Sequence, residues 1–337
     1  MTTTTTTKPL RIGVLGAARI APMALIRPAR QVAGVVVSAV AARDPARAQA
    51  FARKHGVAKV HATYEAMFAD DDVDAVYNPL PNSHHKTLTI KALAAGKHVL
   101  CEKPLAANAD DARAMHEAAV AAGKVLMEAF HWRYHPLAAR VLDEIAKLGK
   151  LKRVRASFAV PFFSPSDIRF RKDLAGGALM DTGCYAVNIA RTFSGVAGTE
   201  QLLVVDEVRP LLISSDVDRA FWGRMHTAEG VEVVVECSLM SAKLLSARAQ
   251  IEGERGSIDV WNPVVPQFFN RLRTKIDGAS SSSSIPGKAT YVHQLEAFRD
   301  AVVDGKPFPS TSLDGIANMA TIDALYTKAG MSKREST

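Results

Sequence analysis

The chain has 337 residues, 48% of them hydrophobic, with a formal net charge of +8 and three cysteines. This length favours two domains over one, and no apolar run is long enough to span a bilayer as a helix. Cys101, Cys184 and Cys237 are too few and too far apart for a disulfide framework or a Cys-x-x-Cys metal site, which points to a reducing cytoplasm.

Met1 and Thr2 to Thr7 lack the basic and apolar regions of a signal peptide and are expected to form a disordered tail. Leu10 to Leu15 then reads as a buried strand, and Gly16-Ala17-Ala18-Arg19-Ile20-Ala21 follows it into a helix. That is the place and length of a dinucleotide fingerprint. Gly16 stands first, Ala18 replaces the usual second glycine, and Ala21 is small enough for helix–strand packing. The Ala18 methyl shifts more of the cofactor's binding onto the amides and dipole of the helix N-terminus. The next strand, Gly34 to Ala42, ends without a carboxylate to hold a ribose. Arg43 follows and can fork onto a 2′-phosphate, so NADP is expected, with NAD possible. Asp44 before Pro45 reads as a helix cap.

A short strand near Lys59 to His61, a helix capped by Thr63, and a strand over Val73 to Tyr77 come next. Asn78-Pro79-Leu80-Pro81-Asn82-Ser83-His84-His85 forms a loop at the strand's carboxyl edge, with Asn82 or Ser83 expected to cap the following helix. The adjacent His84 and His85 diverge on a helix and do not chelate one metal as a pair. Lys97 to Cys101 reads as a strand that delivers Glu102-Lys103-Pro104 to the crevice. Pro104 disfavours a helical Lys103, so the lysine is aimed outward as a candidate proton-transfer group. A helix capped by Asn108 and a strand over Lys124 to Met127 complete an N-terminal domain, 8–129.

In the second half, 130–332, a helix runs from Pro136 to Leu148. The basic run Lys147, Lys150, Lys152, Arg153 and Arg155 enters a strand over Val154 to Val160, where alternation makes a solvated face rather than a polyanion stripe. A loop, Pro161 to Ala175, carries Pro165, Asp167, Arg169 and Arg171. Leu179 to Phe193 is a helix with Asp181 and Tyr185 on one face and Asn188 near it, either a functional strip or the wet side of an amphipathic helix. Strand-like runs at Leu202 to Val208, Val217 to Met225, Val231 to Met240, Leu244 to Glu252 and Ser257 to Trp261 suggest an antiparallel meander. Ala279 to Ser284 reads as a mobile serine-rich loop, and helices follow at Tyr291 to Val303 and Ser312 to Ala329. His131 and His135 are not placed as a zinc pair, because Pro136 disfavours a helical His135, and no metal is expected.

Five motifs occur in one order: Gly16 to Ala21, Asn78-Pro79-Leu80-Pro81-Asn82, Cys101-Glu102-Lys103-Pro104, Glu128-Ala129-Phe130-His131-Trp132-Arg133-Tyr134-His135-Pro136, and Gly176-Gly177-Ala178-Leu179-Met180-Asp181-Thr182-Gly183-Cys184-Tyr185. Together they resemble the glucose–fructose oxidoreductase / inositol dehydrogenase (Gfo/Idh/MocA) family, on the branch of trans-dihydrodiol dehydrogenases and D-xylose 1-dehydrogenases. The resemblance spans residues 8 to 330, with Ala18 its clear departure. It implies an α/β protein: an N-terminal Rossmann domain with a doubly wound parallel sheet, and a C-terminal α/β domain whose large, mostly antiparallel open sheet makes a homo-oligomer, here expected as a dimer.

The resemblance also implies an NADP-dependent oxidoreductase moving a hydride to or from a sugar, polyol or dihydrodiol, with no nucleic-acid or membrane partner. The catalytic lysine falls on Lys103, the acidic substrate-positioning residue on Asp181 and the acid/base on Tyr185. The residues expected around the cofactor are Gly16, Ala18, Arg19, Ile20, Arg43, Pro79, Leu80, Asn82, His85, Glu102 and Lys103. Arg169 and Arg133 are substrate contacts or loop anchors. Tyr185 is the expected proton acceptor, tuned by the Lys103 ammonium, with the reverse assignment open. Two other readings of the same fold are a cofactor-sensing regulator without turnover and an NAD-dependent glycosidase.

Overall fold

The computed structural model of the protein describes residues 8–162, 164, 167–199, 201–241 and 245–337. The expected tail at 1–7 lies outside them, as do Pro165 and Leu244. Leu10–Leu15 (β1), Val35–Ala41 (β2), Lys59–His61 (β3), Ala75–Asn78 (β4), His98–Cys101 (β5) and Leu126–Glu128 (β6) form a sheet of order β3-β2-β1-β4-β5-β6. All neighbours are parallel. Parallel neighbours require crossovers. These carry Arg27–Ala29 (α1, preceded by a π turn at Pro22–Ile26), Pro45–His55 (α2), Tyr64–Phe68 (α3), His85–Ala94 (α4) and Ala109–Ala122 (α5). A sheet covered on both faces explains the near-continuous apolar runs: Ile12, Val14, Val76, Val99 and Leu100 are all fully buried.

Helix starts follow their caps. Asp44 accepts from the amides of Ala46 and Arg47, Thr63 from Ala66, and Asn108 from Asp111. The expected cap at Asn82 or Ser83 does not form. His84 stands at the N-cap of α4 without a side-chain cap bond, and Asn82 Nδ2 instead donates to the Ala175 carbonyl at 3.0 Å. Asn82 is thus spent on joining the two halves of the chain.

Leu151–Ala159 (β7), Val204–Ser214 (β8), Val217–His226 (β9), Glu232–Ser238 (β10), Ser246–Gly253 (β11), Gly256–Trp261 (β12), Arg271–Ile276 (β13) and Ala279–Ser283 (β14) make a second sheet. Its order is β14-β13-β12-β11-β7-β10-β9-β8. Among its neighbours only β7 and β10 run parallel. The expected single meander is therefore two meanders flanking β7, which buries Val154, Ala156 and Phe158 at the centre.

The serine-rich segment is a strand rather than a mobile loop. Asp277 and Gly278 both have positive φ, 49° and 82°, and reverse the chain into a β13–β14 hairpin. Thr274 and Ser281 hydroxyls bond across it at 2.8 Å. Serine's weak strand preference is overridden because an exposed edge strand needs only its main chain to pair.

Pro136–Ile145 (α6), Cys184–Phe193 (α7), Thr290–Asp304 (α8) and Ser312–Lys328 (α9) complete the chain. The predicted helix at 179–193 begins as a π turn over Leu179–Gly183, and α7 packs on β7 and β10. Helix α8 returns to the first sheet, burying Val292, Leu295 and Phe298 in one cluster with Leu10, Ile12 and Val14. On the outer face of the second sheet Arg153 pairs with Glu232 at 2.5 Å and Arg155 with Glu236 at 3.3 Å, which accounts for much of the basic run as a solvated, cross-strand ion-pair face. Among the described residues no helix is long and apolar enough to cross a membrane, and no cluster of three His, Cys, Asp or Glu is placed to hold a metal.

Candidate active site

The strand order of the first sheet reverses between β1 and β4, which opens a crevice at their carboxyl ends. Gly16 leaves β1 with φ of 79°, and its amide donates to the Ala41 carbonyl at 2.6 Å. A Cβ there would stand 2.8 Å from Leu80 Cδ2, so glycine is required both by the left-handed backbone and by the approach of the loop after β4. Ala18, Ile20, Leu80 and Asn82 are partly exposed around this turn, Arg19 and Arg43 are exposed, and Pro79 is buried. The Tyr64 phenol, which no local signal in the sequence marks, lies 3.9 Å from the same Cβ position. Small side chains, a positive-φ glycine, a helix start and an exposed arginine after β2 fit a phosphorylated dinucleotide.

Two further residues expected at the cofactor are buried. His85 is fully buried, with Nδ1 2.9 Å from the Pro104 carbonyl and Nε2 2.8 Å from the Leu80 carbonyl. It fastens the loop after β4 to the turn beyond Lys103; burial pulls its pKa down to about 4, opposed by those carbonyls. Glu102 is also buried. It accepts from the Tyr77 hydroxyl at 2.6 Å, and burial raises its pKa.

Lys103 projects from the end of β5 to the π turn. Its Nζ donates to the Asp181 carbonyl at 3.0 Å and to Asp181 Oδ1 at 3.1 Å. Arg169 Nε donates to Asp181 Oδ2 at 2.9 Å, while its Nη1 reaches Asp167 at 3.0 Å and its guanidinium covers the Phe162 ring at 4.2 Å. One carboxylate is thus shared by two cations. Burial disfavours every charge in the group, yet mutual attraction wins: the Lys103 and Arg169 pKa values are raised and that of Asp181 is lowered. Lys103 is therefore an ammonium throughout the neutral range.

Tyr185 lies beside this group, 5% exposed, with Lys103 Nζ 4.9 Å from its ring centroid. Phe130 and Phe158 meet its ring edge-on. The phenol hydrogen-bonds His131 Nε2 at 2.9 Å, a partner the sequence reading did not single out because 54 residues separate the two. Burial, then the carboxylate of Glu102, raises its pKa well above that of a free phenol. Asn188 is not exposed to the crevice; it accepts from the Trp132 indole at 3.1 Å. Arg133 pairs with the buried Asp314. His135 Nδ1 accepts from the Leu137 amide and starts α6.

The π turn is held from behind. Gly177, φ 135°, touches a cluster in which buried Arg334 and Tyr326 both bind Asp218, at 3.3 and 2.8 Å; a Cβ on Gly177 would lie 2.3 Å from Asp218 Oδ1. Asp218 also accepts the Leu179 amide at 2.7 Å, so the strand β9 fixes the first turn that carries Asp181.

A family model described as "Oxidoreductase family, NAD-binding Rossmann fold" matches residues 10–130, and a "GFO/IDH/MocA C-terminal domain" model matches residues 137–259. The chain is 36% identical over 324 residues to D-xylose 1-dehydrogenase (NADP(+)) 2 of Haloferax volcanii, covering 95% of this chain and 97% of that protein. It is 29% identical over 304 residues to trans-1,2-dihydrobenzene-1,2-diol dehydrogenase of Xenopus laevis, covering 85% and 87%. A 3-ketoreductase from Actinomadura kijaniata, solved with NADP and TDP-benzene, superposes with a TM-score of 0.86 at 27% identity, covering 98% of this chain and all of that one.

Proposed function

Because the chain belongs to the GFO/IDH/MocA family of oxidoreductases, we propose that it is an NADP-dependent dehydrogenase or reductase acting on a hydroxyl or carbonyl carbon of a sugar, polyol or dihydrodiol. The observation that carries the reading is the Lys103–Asp181 ion pair lying against the Tyr185 ring at the edge of the crevice. NADP, when bound, donates or accepts the hydride. Gly16, Ala18, Arg19, Ile20, Leu80 and Asn82 line its cradle, and Arg43 is the residue available for its 2′-phosphate.

Lys103 is held as a cation by Asp181, so it is not the base. It stands as a hydrogen-bond donor and fixed positive charge for the substrate oxygen. Tyr185 is the proton-transfer group. Its raised pKa keeps it protonated at rest, which suits donation to a carbonyl oxygen; the oxidative direction starts from the phenolate that this donation leaves. Asp181 has lone pairs beyond its two cation contacts and can accept from a substrate hydroxyl, with Arg169 beside it. The xylose dehydrogenase and dihydrodiol dehydrogenase relatives support this substrate range.

A cytoplasmic homo-oligomer, a dimer in the first instance, fits the three buried free cysteines and the exposed Val204, Leu211 and Leu212 on the edge strand β8.

NADPH absorbance with a panel of aldoses, inositols and aromatic dihydrodiols tests the activity. Lys103→Met and Tyr185→Phe should each lose most of the rate while binding NADP with near-native affinity. Tight NADP binding without turnover of any substrate would favour a cofactor-sensing regulator, and unchanged rates in both variants would remove Lys103 and Tyr185 from the chemistry.

A further inference from the structure

We propose that His131 is a positioning residue for proton transfer: its Nε2–H donates to the Tyr185 oxygen, turns the phenolic proton toward the cleft and steadies the phenolate left when that proton moves to substrate. The inference rests on Tyr185 being the proton-transfer group.

His131 opens the short turn His131–Tyr134 directly after Phe130, and it is 2% exposed. Its ring lies against Tyr291 of α8, centroids 4.1 Å apart, which fixes its plane. Nε2 stands 2.9 Å from the Tyr185 hydroxyl; Nδ1 is buried and meets no protein partner among the described residues. Burial, followed by the Lys103 charge, draws the imidazole pKa down to about 3, so the ring is neutral and carries one proton.

A proton on Nδ1 would be a buried N–H without a partner, whereas an empty Nδ1 lone pair is the less costly orphan. The proton therefore belongs on Nε2, where it is paired. With Nε2 donating, the phenolic oxygen accepts, and its own hydrogen must turn elsewhere.

The need for such a donor follows from what faces Tyr185. Asp181 and Cys184 lie on its own helical segment, Glu102 and Glu128 at the ends of β5 and β6, Tyr77 on β4 and Tyr291 on α8. The carboxyl groups and the burial oppose a phenolate. The groups that favour one are Lys103, over the ring face, and the His131 N–H, on the oxygen itself. In reduction the Tyr185 O–H bond breaks and its proton forms the new O–H on the substrate oxygen. The electron pair stays on the phenolate, the carbonyl carbon takes its hydride from the reduced cofactor, and His131 neither gains nor loses a proton.

The test compares His131→Phe, His131→Met and His131→Gln. The first two have no N–H; glutamine's amide places one near the Nε2 position. A hydrogen bond to a charged oxygen supports a shift of the kinetic pH limb upward by about one unit or more and a loss of kcat of about tenfold or more at neutral pH. KM and NADP affinity should stay near native in all three, and His131→Gln should recover the limb and most of kcat. Nitrogen NMR of the cofactor-free protein labelled in histidine should find His131 protonated at Nε2. Protonation at Nδ1, or an unmoved pH limb with native kcat in both variants lacking the N–H, overturns the inference. Should His131→Phe fail to fold, the Met and Gln pair carries the same comparison. A Tyr185→Phe enzyme with native rates would instead sink the underlying reading of Tyr185, whatever the His131 variants do.

Discussion

Glu128→Gln should flatten the pH dependence of stability. Glu128 ends β6, and its Oε1 accepts the Leu105 amide at 2.7 Å, which fixes the turn just beyond Lys103-Pro104. Its Oε2 is buried and meets no protein partner among the described residues. Burial, with Asp314 adding to it, pushes the carboxyl pKa up to about 8 from an ordinary value of 4.5. Between those values the folded protein holds a proton that the unfolded chain releases, so the associated stability is complete below about pH 4.5 and is lost as pH rises through 8. At 1.36 kcal/mol per pH unit the full swing is at most about 5 kcal/mol, and solvent relaxation reduces it to a few.

Glutamine has no such titration. At pH 5 its unpaired amide makes the variant less stable by about 1–3 kcal/mol. At pH 9 the order narrows or reverses, since the wild type then buries an anion. Urea denaturation of both proteins at pH 5, 7 and 9 measures the difference. Asp218 and Asp323, whose pKa values are also raised, contribute to both curves and cancel in it. Parallel stability profiles would refute the assignment of a neutral Glu128.

Arg43→Ala should weaken NADP binding by about tenfold or more, the worth of a charge-assisted contact, and leave NAD binding nearly unchanged; fluorescence titration with both cofactors decides, and an equal loss for the two would remove Arg43 from the 2′-phosphate. Arg334→Met should cost about 3–5 kcal/mol in denaturant unfolding, because it strands a fully buried Asp218 without its counter-charge; a cost below about 1 kcal/mol would show that Tyr326 and the Leu179 amide hold that carboxylate alone.

What could be read from the sequence was governed by locality. The β1 turn, the Asp44 and Asn108 caps and the strand before Lys103 depend on residues a few positions apart, and they stand where the residues indicated. Lys103 and Asp181 are 78 residues apart, yet both could be nominated because each sits in a motif, and the fold joins them. His131 sits in a motif too, but its partner depends on how the second sheet packs α7 against the first domain, and nothing near position 131 encodes that. Tyr64 and Arg334 are subject to the same limit. The β13–β14 hairpin differs, since Asp277-Gly278 is a local hairpin signal that the serine run masked.

In the proposed site Asp181 joins the two halves of the chain. It sits in the π turn, where its carbonyl accepts from Lys103 Nζ and the Cys184 thiol. Its carboxylate meanwhile binds Lys103 with one oxygen and Arg169 with the other. Arg169 is itself paired with Asp167, so the four groups balance, and the cation that lies against Tyr185 is Lys103, only 14% exposed, where screening is weak. A hydroxyl giving up its proton, or a carbonyl taking a hydride, develops negative charge on its oxygen, and fixed positive charge at that place lowers the barrier without reorganisation. Asp181 alone would repel that oxyanion. Held between Lys103 and Arg169, it keeps the Lys103 ammonium ionised and oriented, with N–H bonds left to offer the proposed substrate oxygen.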